Sequence, residues 1–275
     1  MKNALIAMLL LAMFTGTAHG ITYRGDVPLK KFQEYGSKHN CVVKINAWIK
    51  ETKYLTTASA VIIGPHIVLT AALGMIDVHD SKVVIGNSEY PIIAAVCPTE
   101  YRQHKYGIAD IAVCYVKKKL PQEFYVKLYD KSNEIGKICS ISGWGRNGSF
   151  KSGHQSTTKK YRLAGSNFVD SIDRDMLMVS PSKSSNDRTS LECIVSPGDS
   201  GGGMFIEGKL AGIHSIITTT VSGASLTGGY HCKSGSTRVS KFKSWIDKTS
   251  EQLINYYRLV DEINLTLRYR EDDSR

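Results

Sequence analysis

From residue 42 onward the chain runs as a succession of short segments rich in Val, Ile and Tyr, each cut off by Gly, Pro, Asn or Asp. One series covers 42–48, 55–63, 66–70, 82–86, 90–96 and 110–116; a second covers 137–142, 160–169, 176–180, 204–206, 210–217 and 236–240. Short strands at regular spacing with turn residues between them predict an all-β barrel or sandwich. With 42% hydrophobic residues, the chain can bury a core and is not a disordered polymer. No repeat of 20–50 residues is visible, which excludes solenoids and propellers. The pattern changes only at the end. Phe242, Ile246, Thr249, Leu253, Tyr256, Val260, Ile263 and Leu267 recur every three or four residues, as one stripe of an amphipathic helix. The polar face of that stripe mixes both charge signs, which favours docking on the body over lying in a membrane surface. The tail Glu271-Asp272-Asp273 is expected to fray.

The start of the chain has the layout of a secretory signal peptide: Lys2, an apolar run over 4–14, then small residues Gly16, Ala18 and Gly20. Cleavage after Ala18 or after Gly20 fits equally. The run is too short to span a bilayer, no second long apolar stretch follows, and the product is expected to be exported. Export changes how the cysteines are read. Cys41, Cys97, Cys114, Cys139, Cys193 and Cys232 are even in number, form no Cys-x-x-Cys pair and lack zinc spacing. Three disulfides are the expectation in an oxidising compartment, with 15 connectivities open. No metal and no cofactor is expected. Asn147-Gly148-Ser149 and Asn264-Leu265-Thr266 are glycosylation sequons.

The sharpest chemical signal is Pro197-Gly198-Asp199-Ser200-Gly201-Gly202-Gly203. A Ser flanked by glycines suits close backbone approach, with N–H groups free to converge on one oxygen. Asp110-Ile111-Ala112-Val113, Ser142-Gly143-Trp144-Gly145, Val68-Leu69-Thr70-Ala71-Ala72, Gly212-Ile213-His214-Ser215, Thr237-Arg238-Val239 and Trp245-Ile246 stand in order around it. Together these motifs resemble those of the trypsin-like (chymotrypsin-fold) serine peptidases, over nearly all of residues 21–246. The resemblance implies two six-stranded antiparallel β-barrels with a C-terminal α-helix and a site in the cleft between the barrels. It divides the chain into a leader over 1–20, the peptidase domain over 21–250 and a helical extension over 251–275. It makes Ser200 the nucleophile, Asp110 the acid of the triad, and Gly198 and Ser200 N–H the oxyanion hole. It makes Asp199 the partner of a new N-terminal amine at Ile21.

The departures from that pattern decide the expected function. Where the family places its catalytic His, this chain has Leu73. An aliphatic side chain cannot accept the proton of Ser200, and loss of the base costs on the order of 10⁶ in turnover. Ala58 and Gly74 replace a family half-cystine pair beside that position. The resemblance places the remaining cysteines as Cys41–Cys139, Cys97–Cys114 and Cys193–Cys232. Ile194 stands at the residue that sets specificity, so no buried carboxylate would attract Lys or Arg. With Ser215 and Ile217 it makes an apolar and narrowed pocket. His214 is read as a packed strand histidine, with a displaced base as the alternative. Arg146, Lys151, Lys159, Lys160 and Arg162 carry no nearby acid and form a solvated loop or a docking patch for an anionic partner. No basic stripe interleaved with aromatics points to nucleic acid.

The expected protein is a secreted serine protease homologue without proteolytic activity, binding other proteins such as a protease, an inhibitor or a receptor. An active endopeptidase with an unusual base and a basic protein that binds anionic glycans are the alternatives.

Overall fold

The computed structural model describes residues 20–49, 54–75, 80–102, 107–155, 161–182, 184, 187–221 and 228–272. The first elements are a two-residue strand β1 (Thr22–Tyr23) and helix α1 (Leu29–Ser37). The sequence reading placed no helix there. Pro28 fits the extended residue that opens it, and Phe32 and Gly36 are its buried positions, one turn apart. Phe32 is fully buried, with its ring 4.4 Å from that of Tyr23. Gly36 faces the Arg162 carbonyl so closely that a Cβ would lie 2.3 Å from its oxygen.

Six antiparallel strands then close a barrel: β2 (Val42–Ile49), β3 (Tyr54–Gly64), β4 (Ile67–Thr70), β5 (Lys82–Ile85), β6 (Ser88–Val96) and β7 (Ala112–Val116). Alternate residues serve two cores. Val43, Ile45, Ala60, Ile62, Val68, Val83 and Cys114 pack in one cluster, while Val42, Val61, Ile67, Leu69 and Val113 pack in another. That double burial explains why these strands read as continuous apolar runs and not as strict alternation.

The second half carries β8 (Ile138–Gly143), β9 (Asn147–Ser149), β10 (Gly153–Gln155), β11 (Leu163–Phe168), β12 (Ser171–Asp173), β13 (Met176–Val179), β14 (Cys193–Ile194), β15 (Gly203–Ile206), β16 (Lys209–Thr219) and β17 (Cys232–Arg238). A seven-stranded sheet runs in the order β11-β8-β15-β16-β17-β13-β12, and a four-stranded sheet in the order β10-β9-β1-β14. One closed six-stranded barrel followed by a second, sheet-built half agrees with the expected trypsin-like plan, although the second half does not close into one six-stranded ladder.

Helix α2 (Val239–Asp272) follows β17 without a break and continues past residue 250. Its first turns are docked: Val239, Phe242 and Ile246 are buried in the cluster that also holds Leu69 and Val113. The Tyr257 ring stacks on Tyr115 at 4.3 Å and its hydroxyl donates to the Ile93 carbonyl at 3.3 Å. Beyond that point Leu259, Ile263 and Leu265 are exposed over more than half their surface. At the start of α2, the buried Glu134 accepts from Arg238 Nε and Nη2, both at 2.8 Å, and from the Ser240 hydroxyl at 2.7 Å.

The expected disulfides are not formed: among the described residues, which include all six cysteines, no bridge is present. Burial pushes the thiols of Cys41 and Cys97 up to about 11 and that of Cys139 up to about 12. The neighbours also differ from one expected pair, Cys41–Cys139, while Cys193 and Cys232 share a cluster. Cys139 lies close enough to Cys193 for their charges to interact, whereas Cys41 packs in the other cluster beside Arg162. Cys97 and Cys114 do lie near each other on adjoining strands.

Candidate active site

The glycine-rich turn holds its shape because no other residue fits it. Gly198 and Gly201 both have positive φ, at 92° and 83°. A Cβ on Gly201 would come within 2.1 Å of the Ser59 carbonyl oxygen and of Thr70 Oγ1. That contact is the seam between the two halves of the molecule. Ser59 N–H donates to the Ser200 carbonyl at 2.9 Å, Ser59 Oγ donates to the Gly198 carbonyl at 3.2 Å, and Thr70 Oγ1 donates to the Ser59 carbonyl at 2.7 Å. Trp144 N–H donates to Ser59 Oγ at 3.0 Å. Among the described residues the Gly198 and Ser200 N–H groups have no acceptor, which leaves two donors of the oxyanion-hole kind unengaged. Ser200 Oγ likewise has no hydrogen-bond partner among them.

Asp199 points away from this turn, into the second half. It is fully buried and accepts three N–H groups: Gly145 at 2.7 Å on Oδ1, and Ser196 at 2.8 Å and Ile21 at 2.9 Å on Oδ2. Desolvation raises its pKa to about 6 against the pull of those three donors. Ile21 is itself fully buried, and its φ is +62°, a left-handed conformation that a β-branched residue rarely adopts.

Asp110 is buried and both its oxygens are occupied. Oδ1 accepts the Leu73 N–H at 2.9 Å and Oδ2 accepts the Ser215 hydroxyl at 2.6 Å. Burial raises its pKa, with the Ser215, Leu73 and Ala72 hydrogen bonds opposing. Ser215 reaches it because β16 shifts register between His214 and Ile216, which turns the intervening side chain out of the ladder. Leu73 sits in a 3-10 turn over Ala72–Gly74, which brings its N–H against Asp110. Two other histidines of the fold have neighbours of their own. His214 is fully buried, its Nδ1 engages the Ser236 hydroxyl at 2.9 Å, and its Nε2 has no partner among the described residues. Burial lowers its pKa to about 3, so the ring is neutral at physiological pH. His66 stacks on Tyr115 and faces the Val116 carbonyl. His79 lies outside the described residues.

The expected pocket residues are built into the core. Ile194 is fully buried, paired with Thr22 across β14 and β1, and packed with Ile21 and Cys193. Ile217 pairs with Ser234 and leans on the same cluster. The basic loop is divided: 156–160 lies outside the described residues, Lys151 is exposed, and Arg162 turns inward. Of the two sequon asparagines, Asn147 is half-buried in β9 and Asn264 is exposed on α2. Among the described residues no cluster of His, Cys, Asp or Glu has the makings of a metal site, and no helix is long and apolar enough to cross a membrane. What the sequence reading missed is Ser59. A lone Ser inside a strand carries no motif, and its position at the seam emerges only when β3 meets the turn.

The sequence and the fold both have counterparts among known proteins. A mosquito protein, Serine protease SP24D of Anopheles gambiae, is 28% identical over 211 residues, covering 72% of this chain and 69% of its own. Among solved structures, mouse neuropsin superposes with a TM-score of 0.58 at 19% identity, over 83% of this chain and 98% of its own. A scabies mite inactivated protease paralogue superposes with a TM-score of 0.59 at 15% identity, over 78% and 95%. A mutant of human heparin binding protein superposes with a TM-score of 0.57 at 16% identity, over 84% and 95%. The Trypsin family model matches residues 33–246, and the chain therefore belongs to the trypsin family of serine peptidases.

Proposed function

We propose that this chain is a secreted member of the family that has lost peptide hydrolysis and acts by binding other proteins. The observation that carries the reading is the hydrogen bond from Leu73 N–H to Asp110. That contact puts an aliphatic side chain on the residue whose backbone meets the acid, where the family carries its base. Ser200 then keeps its proton, and an un-ionised hydroxyl is a poor nucleophile at neutral pH. The buried Ile194 supports the same reading, because it places no carboxylate there to attract a cationic substrate side chain.

The test compares the protein with its Leu73→His and Leu73→His/Ile217→Gly variants, using a small probe that phosphonylates active-site serines and a broad peptide library. The small probe avoids the specificity pocket. The expected order is no labelling, labelling of Ser200 without cleavage, then labelling with weak cleavage. A misplacement near 1 Å costs on the order of 10²-fold, so the installed imidazole, on a loop without the family's neighbouring disulfide, restores labelling before turnover. Cleavage by the unmodified protein, abolished by His214→Ala, would establish a displaced base and end the proposal.

A further inference from the structure

Arg162 is read from the sequence as part of a solvated basic loop, and the structure gives it a different place. Its guanidinium is largely buried. Nε donates to the Gly36 carbonyl at 2.7 Å, Nη1 to the Val42 carbonyl at 3.1 Å and Nη2 to the Ser37 carbonyl at 3.4 Å. It stacks over the Trp144 ring at 5.7 Å, and Trp144 Nε1 donates to the same Val42 carbonyl at 3.0 Å. All these acceptors are neutral. Among the described residues no carboxylate forms an ion pair with Arg162, and burial lowers its pKa with only the Cys41 thiol opposing. A guanidinium has five N–H donors, so two remain after the three carbonyls are served.

Those donors stand at a cavity of about 340 Å³, with aliphatic Val43, Val84 and Ile85, aromatic Phe124 and Trp144, and a second cation, Lys44, in its wall. Among the described residues no acidic one lines it. Lys44 and Val84 are direct cross-strand partners of β2 and β5, and Glu89 stands opposite Val84 on β6. The Glu89 carboxylate is engaged by Lys82 at 2.8 Å. Among the described residues neither cation has a carboxylate partner, and the two share one small cavity whose wall also includes Asn40. A buried charge without a partner is costly, and an anionic ligand that also fills the apolar volume removes that cost.

We propose that this cavity, whose wall residues Lys44 and Trp144 also meet Ser59 at the seam, binds a carboxylate borne on a small apolar or aromatic body. The carboxylate bridges Arg162 and Lys44, and the body packs between Trp144, Phe124 and Val84. The same chemistry is offered by a free aryl carboxylic acid and by the C-terminus of a peptide ending in Phe.

Ligand-observed NMR and thermal shift with phenylacetate, phenylacetamide, an acetylated tripeptide ending in Phe and its C-terminal amide test the idea. Phenylacetate is expected to bind with a dissociation constant on the order of 1 mM, at least about tenfold tighter than the amide. Binding by the peptide acid identifies a chain terminus as the source, and binding by phenylacetate alone identifies a free acid. Arg162→Gln also removes ties to α1, so Lys44→Met and Val84→Trp are the deciding variants. Lys44→Met should weaken the acid severalfold and leave the amide unchanged. Val84→Trp fills the cavity and should abolish both while the protein stays folded. Equal binding of acid and amide, no binding of either acid, or undiminished binding to Val84→Trp would overturn the proposal.

Discussion

At the scale of single residues, the candidate site shows how much one side chain can remove without disturbing its surroundings. Leu73 keeps the backbone N–H that Asp110 needs as a donor, so the acid stays buried and paired although it has no imidazole to orient. That Asp110 would accept the Ser215 hydroxyl and a backbone N–H was legible because the flanking motifs fix the register. The contacts of Arg162 were not, because a basic side chain in a polar loop reads as solvated until the carbonyls of α1 and β2 are brought against it. Asp199 makes a measurable case of its own. Its carboxyl is raised to about 6 from an ordinary 3.8, so the folded state binds the proton more tightly than the unfolded chain. The stability this adds is complete below the unfolded value and is lost as pH rises through the folded one. In chain that still carries the segment before Ile21, urea unfolding should show a loss of about 3 kcal/mol between roughly pH 3.5 and 6.5. Asp110 shifts in the same direction, so the measurement is the difference from Asp199→Asn, which should be flatter. Protein beginning at Ile21 brings an ammonium to Asp199 and should lose most of that difference. Sequencing of exported protein is expected to start at Ile21, and a start at His19 would remove this account.

Among the elements, the long strands and α2 were readable from period and composition, and the short ones were not. β1, β9, β12 and β14 have two or three residues each and carry no periodicity. They exist because the larger sheet holds their neighbours in reach. α1 was readable in principle from Leu29, Phe32 and Gly36, but nine residues with two lysines and a glycine make a weak helical signal. The start of α2 rests on a different device, the buried Glu134 held by the Arg238 fork and the Ser240 hydroxyl. Glu134→Ala strands a charge that is itself mostly buried and should cost about 3 kcal/mol in denaturant unfolding. Glu134→Ala with Arg238→Met should recover much of that loss. If the single variant unfolds at the same denaturant concentration as the parent, the fork is a surface contact and not an anchor.

For the whole molecule, stability should divide α2 unequally. A helix of 34 residues is about 51 Å long, more than the body beneath it can cover. Chain ending after Arg258 should keep the melting temperature within about 2 °C of the parent, whereas ending after Ser244 removes Ile246 and Tyr257 from their packing and should lower it by 10 °C or more. Equal effects would mean that the distal turns are held by contacts the fold does not reveal. The all-β plan with its C-terminal helix was legible, but the strand order was not, since pairs such as β8–β11, β13–β17 and β4–β7 join strands far apart in sequence. The seam at Ser59 was likewise a part that only assembly could show, and it bears on how such chains drift. The Gly198–Gly202 turn is fastened to the first barrel through the Ser200 and Gly198 carbonyls and through the Gly201 contact, none of which involves the hydroxyl of Ser200. A lineage that abandoned catalysis would still be penalised for altering these glycines. The nucleophile signature can therefore outlast the reaction it once served, and its presence in a sequence testifies to architecture before it testifies to activity.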